Sequence, residues 1–240
     1  MRLIKSKREL IYLIIIMLLS VALTTVSVIF ATSNNNDELS YYEIKCNSFE
    51  VQNVNLSHGQ IVFIGDSITD GCALDTFYGD LKLAVYNRGI GGDNTSGVLK
   101  RLKGSVFDIR PSKIVIMIGT NDINGNVSQD KILQNYREIL RQFKGNLPEA
   151  EVICVSIIPQ NKQLEQYTPV KVDETTKTIL QINPKIESLA NEFGYSYVDL
   201  FSSLADSNNM LIEEYSPDGI HLNNEGYKIY SSKIKHLLEE

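Results

Sequence analysis

The sequence is poor in the residues that metal centres and disulfide scaffolds need. Three cysteines, Cys46, Cys72 and Cys154, cannot all pair with one another, so no disulfide framework is available. Cys154 sits in an apolar run and reads as core. A Cys46–Cys72 bridge would need an oxidising compartment, and free thiols are the expectation. No cysteine pair and no His-x-x-x-His spacing marks a zinc site, so no metal and no cofactor are expected. A basic excess is also missing: the net charge is −6, and the first 33 residues contribute +3 through Arg2, Lys5, Lys7 and Arg8 against Glu9, which leaves −9 for residues 34–240. That balance excludes a nucleic-acid partner. There is no internal repeat, and low complexity is confined to Asn34-Asn35-Asn36.

What is present begins with a membrane element. Leu10 to Ala31 are 22 residues without a charged side chain, and a helix of that length spans roughly 33 Å, about one hydrocarbon core. The basic residues before it favour a cytoplasmic amino terminus, which puts the rest of the chain outside the cell. Ala31-Thr32-Ser33 offers small residues where a signal peptide could be cleaved, which would make the protein secreted. The length of the apolar run favours an uncleaved anchor. The expected organisation is residues 1–33 as basic tip and anchor, 34–57 as tether and short helix, and 58–240 as one catalytic domain.

In that domain, strands alternate with helical stripes. Ile61-Val62-Phe63-Ile64, Lys113 to Ile118 and Glu151 to Ile158 are apolar, β-branched runs of buried-strand length. Leu83 to Tyr86 and Tyr195 to Leu200 are weaker strands. Ser40 to Val51 reads as a short helix with Tyr42, Cys46 and Phe49 on one side. Ser128 to Lys144 is a helix capped by Ser128 and ended by Gly145. A further stripe through Ile179, Ile182, Ile186, Leu189 and Phe193 meets Pro184, which either kinks it or opens a second helix capped by Asn183. The last helix starts near Asn224. Five strands in this alternation predict an open parallel sheet covered on both faces, whose ligands bind outside the carboxyl ends of the strands.

The segments after those strand ends carry chemistry. Gly65-Asp66-Ser67 follows the first, Asn87 to Asp93 the second, Gly119-Thr120-Asn121-Asp122 the third, and Asp218-Gly219-Ile220-His221 lies near the carboxyl end. A serine, a histidine and an acid are the parts of a nucleophilic hydrolase. Of three histidines, His58 lies in a turn on the wrong side of the first strand and His236 among solvated charges, which leaves His221, with Asp218 three residues before it. Backbone N–H groups of Ser67 and Gly92 and the Asn121 side-chain amide are candidate donors to a developing oxyanion.

In order and spacing, these four blocks resemble those of the SGNH hydrolases, also called GDSL esterases and lipases, over roughly residues 58–238. The resemblance implies a three-layer α/β/α flavodoxin-like sandwich, no metal, and a serine acyl-enzyme. It makes Ser67 the nucleophile, His221 the base, Asp218 its orienting acid, and Gly92 and Asn121 oxyanion residues. Ser67 is followed by Ile68 and Thr69, so the Gly-x-Ser-x-Gly elbow of α/β-hydrolases is absent. The second and third blocks look like the small-acyl branch, which includes platelet-activating-factor acetylhydrolase-like proteins and carbohydrate acetylesterases. The expected activity is removal of O-acetyl or other short acyl groups from a glycan. The alternatives are a lysophospholipase or arylesterase, and an inactive surface-displayed glycan-binding module. The polar stretch from Pro159 to Asp173, with Gln160, Asn161, Lys162, Gln163 and Tyr167, is a candidate wall for sugar hydroxyls.

Overall fold

The computed structural model describes Ile15, Met17 and residues 39–161 and 172–239, the side chains of 172 and 173 excepted. Apart from Ile15 and Met17, the apolar stretch Leu10 to Ala31 therefore lies outside the described residues, as do the wall residues Lys162, Gln163 and Tyr167. Among those described, no helix is long and apolar enough to cross a membrane. The chain divides into two units, Met1–Ser40 and Tyr41–Glu240, and the sheet and the candidate site belong to the second.

That unit alternates as predicted. Its α-helices and strands are α1 (Tyr41–Asn53), β1 (Ile61–Gly65), α2 (Ser67–Asp70), α3 (Leu74–Tyr78), β2 (Val85–Gly89), α4 (Thr95–Leu102) and β3 (Lys113–Met117). They continue through α5 (Thr120–Asn124), α6 (Gln129–Asn146), β4 (Glu151–Val155), α7 (Val172–Phe193), β5 (Ser196–Val198), α8 (Phe201–Leu204) and α9 (Asn224–Leu238). The five strands pair in the order β2-β1-β3-β4-β5, all parallel. Successive side chains of a strand point to opposite faces, so each central strand feeds two cores. Val62, Ile64, Ile114, Ile116, Val152 and Cys154 pack under α4, α6 and α7. Ile61, Phe63, Val115, Met117, Ile153 and Val155 pack under α2, α3 and α9. The result is the three-layer α/β/α sandwich.

The departures from the sequence reading have local causes. The second strand lies further along than Leu83 to Tyr86, because it is an edge strand whose polar Asn87 and Arg88 satisfy loop and helix groups. β4 stops at Val155 although the apolar run continues. The Ile157 N–H and carbonyl are taken by the Asn183 side chain, which removes them from the ladder while Ile157 stays buried. Asn183 is thereby occupied and caps no second helix, and α7 runs through Pro184 as one element. Gly145 does not end α6, which continues to Asn146 with Ser128 as its cap. Cys46, Cys72 and Cys154 are free thiols.

Candidate active site

β1 delivers the nucleophile candidate. At Gly65 a Cβ would lie 2.3 Å from the Met117 carbonyl oxygen and 2.3 Å from Thr69 Oγ1, so only glycine lets the chain turn there. Asp66 then caps α2, its Oδ1 accepting the Ile68 N–H at 3.0 Å, and Ser67 is the first residue of that helix. From the far side of α2, Tyr227 Oη of α9 donates to the Ile68 carbonyl at 2.7 Å.

His221 reaches Ser67 across 154 residues of sequence, its Nε2 lying 2.9 Å from Ser67 Oγ. Asp218 Oδ2 is 2.6 Å from His221 Nδ1. The same carboxylate accepts the backbone N–H groups of Ile220 at 2.9 Å and His221 at 2.8 Å through Oδ1. Burial works to raise the Asp218 carboxyl, but these donors hold it below its ordinary range. An ionised Asp218 on Nδ1 favours the tautomer with the proton on that nitrogen, leaving the Nε2 lone pair directed at Ser67.

Two further loops complete the constellation. In the turn after β2, the Asp93 N–H donates to the Ile90 carbonyl at 3.1 Å, and Gly92 sits at φ +77, where an L side chain is strained. Asn121, in the first turn of α5, donates through Nδ2 to the Asp93 carbonyl at 2.8 Å, tying the third loop to the second. Among the described residues, no acceptor takes the N–H of Ser67 or Gly92, or the second Nδ2 hydrogen of Asn121. These are three donors available to an oxyanion. All five residues singled out in the sequence stand at the carboxyl ends of the strands.

Several residues that hold this arrangement escaped the sequence reading. Arg101 is buried, and its Nε pairs with Asp93 Oδ2 at 2.7 Å. The rest of its guanidinium donates to the carbonyls of Arg88 at 2.7 Å and Gly65 at 2.9 Å and to Ser105 Oγ at 3.1 Å. One side chain therefore clamps the end of β1 to the turn that carries Gly92. Asp122 accepts the Thr95 N–H at 2.8 Å and Thr95 Oγ1 at 2.6 Å, joining α5 to α4. The available signal was an arginine on the buried side of a helix, beside Val98 and Leu102. The reading of Gln160 and Asn161 as part of a wall for sugar hydroxyls is corrected. Both are buried, with Gln160 Nε2 on Asn124 Oδ1 and Asn161 Nδ2 on the Leu211 carbonyl. The Asn161 N–H also donates to the Gly219 carbonyl at 2.8 Å, which steadies the loop carrying His221.

Two carboxyl groups near the nucleophile are pushed the other way. Burial raises Asp66 to about 7 against the bond from Ile68, and its Oδ2 has no hydrogen-bond partner among the described residues. Burial also raises Asp93 despite its pairing with Arg101.

A serine, a histidine and an acid in hydrogen-bonded sequence, on a parallel α/β sandwich and beside unsatisfied N–H donors, define the class of carboxylic ester hydrolases. The chain belongs to the GDSL-like lipase/acylhydrolase family, whose model matches residues 63–229. Among curated proteins it is similar to platelet-activating factor acetylhydrolase IB subunit alpha2 of Gallus gallus. The two are 31% identical over 157 residues, 60% of this chain and 67% of the relative. The Homo sapiens protein of that name is 28% identical over 190 residues, 75% of this chain and 78% of the relative. Among solved structures, a GDSL-like lipase from Bacteroides thetaiotaomicron superposes with TM-score 0.72 at 25% identity, covering 83% of this chain and 98% of that one. An acetylxylan esterase from Geobacillus stearothermophilus shares the fold, with TM-score 0.61 at 20% identity over 77% of this chain and 96% of that one.

Proposed function

We propose that the protein is a membrane-anchored serine esterase that removes O-acetyl or other short acyl groups from carbohydrate through an acyl-enzyme. The observation that carries the mechanism is the continuous line from Asp218 Oδ2 through the imidazole to Ser67 Oγ, 2.6 Å and 2.9 Å in its two steps. His221 takes the Ser67 proton as Oγ attacks the ester carbonyl. The oxyanion receives hydrogen bonds from the N–H groups of Ser67 and Gly92 and from Asn121 Nδ2. His221 then protonates the departing alcohol, and in the second half it deprotonates the water that releases the acid.

The short-acyl reading is supported by the acetylhydrolase relatives, and the carbohydrate reading by the acetylxylan esterase among the structural neighbours. The anchor rests on the uncharged stretch Leu10 to Ala31 and the basic residues before it, with the catalytic unit extracytoplasmic.

A fluorophosphonate probe should label the wild-type protein and not Ser67→Ala; equal labelling of both refutes the nucleophile. Acetate release from acetylated glycans, set against fatty-acid release from lysophospholipid, tests the substrate class. A preference for the lipid overturns the glycan reading.

A further inference from the structure

Helix α1 lies outside the four sequence blocks, yet it is linked through Asp70 to the turn that carries Gly92. Tyr41 Oη donates to Asp70 Oδ2 at 2.6 Å, and Lys45 Nζ donates to Asp70 Oδ1 at 2.7 Å. The same Oδ2 accepts the Gly91 N–H at 3.1 Å. Asp70 is the last residue of α2, one turn from Ser67. Its backbone is fixed from below by Asn87, whose Nδ2 reaches the carbonyls of Thr69, Asp70 and Cys72. In the turn, the Gly91 N–H is thus held by Asp70 and the Asp93 N–H by Ile90, so the N–H between them, that of Gly92, is the one left for substrate. The tyrosine ring also rests on the turn, since a Cβ on Gly91 would come 3.4 Å from Tyr41 Cε1. The Lys45 and Asp70 side chains are only 25% and 17% exposed, so solvent screens the pair weakly.

We infer that α1 is a positioning element of the active site, with Tyr41 and Lys45 acting through Asp70 to fix the aim of the Gly92 N–H. This rests on the esterase function proposed above. Tyr41, Lys45 and Asp70 touch no reacting atom. Their role is to keep a donor where charge develops in the transition state, so their loss falls on kcat more than on KM.

The test uses the full-length protein and a short-acyl ester. Lys45→Met and Asp70→Asn should each lower kcat by about tenfold or more with KM within about twofold. Tyr41→Phe, a loss of one hydroxyl on a half-exposed ring, should lower kcat by about threefold. Lys45→Arg should restore most of the rate, and the Lys45→Met/Asp70→Asn double variant should be no slower than its slower parent, since both act on one chain of contacts. Full kcat in Tyr41→Phe and in folded Lys45→Met, a loss confined to KM, or multiplying losses in the double variant would each overturn the inference. A wild-type protein that neither turns over esters nor reacts with fluorophosphonate removes the esterase reading itself. An active wild type with indifferent variants removes only the role of α1.

Discussion

Replacing Arg101 by methionine keeps the stem and removes the guanidinium, and the structure sets what that costs. The Arg101 and Asp93 side chains are 3% and 2% exposed, so the substitution strands a carboxylate in the interior and deprives the carbonyls of Arg88 and Gly65 of a donor. Breaking a buried ion pair from one side costs about 3 to 5 kcal/mol. A domain is stable by about 5 to 15 kcal/mol, so about a fifth or more of the total is at stake. At about 2 to 4 °C per kcal/mol for a chain of this size, the melting temperature should fall by roughly 10 °C. The chain has no tryptophan, so far-ultraviolet circular dichroism is the appropriate probe. The cost should also depend on pH. Burial already holds the Asp93 carboxyl above its ordinary range, and Arg101 opposes that; without Arg101 the acid takes up a proton more readily. The gap between wild type and variant should therefore shrink as pH falls. Adding Asp93→Asn to Arg101→Met should recover part of the loss, giving a double variant more stable than the sum of its singles. A variant melting within about 1 °C of wild type at neutral pH, or a gap that widens on acidification, would refute the clamp.

Gly92→Ala should cost about 1 to 2 kcal/mol of stability, because φ is +77 there, yet its Cβ meets nothing within 4 Å of the protein. Turnover should nevertheless fall by about 10², since the proposed mechanism puts the substrate oxygen in that open space; unchanged kcat would remove Gly92 from the oxyanion site. Asp218→Asn preserves an acceptor for the N–H groups of Ile220 and His221 but no longer enforces the imidazole tautomer. Its kcat should drop by about 10³ to 10⁴ with the melting curve little changed. Asp66 titrates near 7 in the folded state against 3.8 ordinarily. Between those values the native protein holds a proton that the unfolded chain has released, so stability declines as pH rises through that window. Asp66→Asn keeps the cap on Ile68 and lacks this term. It should gain on wild type from pH 4 to pH 7 by a few kcal/mol, measured by chemical denaturation at each pH; a constant difference would contradict it.

How much was legible follows from where the information sits. β1 and β3 are buried on both faces and so spell uninterrupted apolar runs. Both were readable, as were the stripes of α6 and α9. The edge strands β2 and β5 are half-exposed, and their polar residues blur the pattern. Local chemistry also carried the glycines, since Gly65 and Gly92 announce turns whatever their surroundings. The polar contacts between loops were not legible. Nothing near Asn183 in sequence points to Ile157, and nothing near Arg101 points to Gly65, because these bonds exist only once the sheet brings distant segments together. Gln160 and Asn161 were misread for the same reason. Polarity normally marks solvent, but here it marks interior partners, the Asn124 side chain for Gln160 and the Leu211 carbonyl for Asn161.

That last point bears on why the site is so rich in aspartate. A strand end that becomes a catalytic loop leaves its N–H groups without partners, and helices of four or five residues satisfy few of them. Here the loops use carboxylates instead. Asp66 accepts from Ile68, Asp70 from Gly91, Asp93 from Asn94, Asp122 from Thr95, and Asp218 from Ile220 and His221. Each acid fixes one turn, and the candidate catalytic groups ride on those turns. The arrangement lowers stability where the acids are buried, as the upward displacement of Asp66, Asp93 and Asp122 indicates. Arg101 is the cation that offsets it at Asp93. The negative charge of the chain is thus partly internal, built into the loops that aim the donors and the imidazole. A variant that neutralises one of these acids should disturb geometry at the strand ends before it disturbs the sheet.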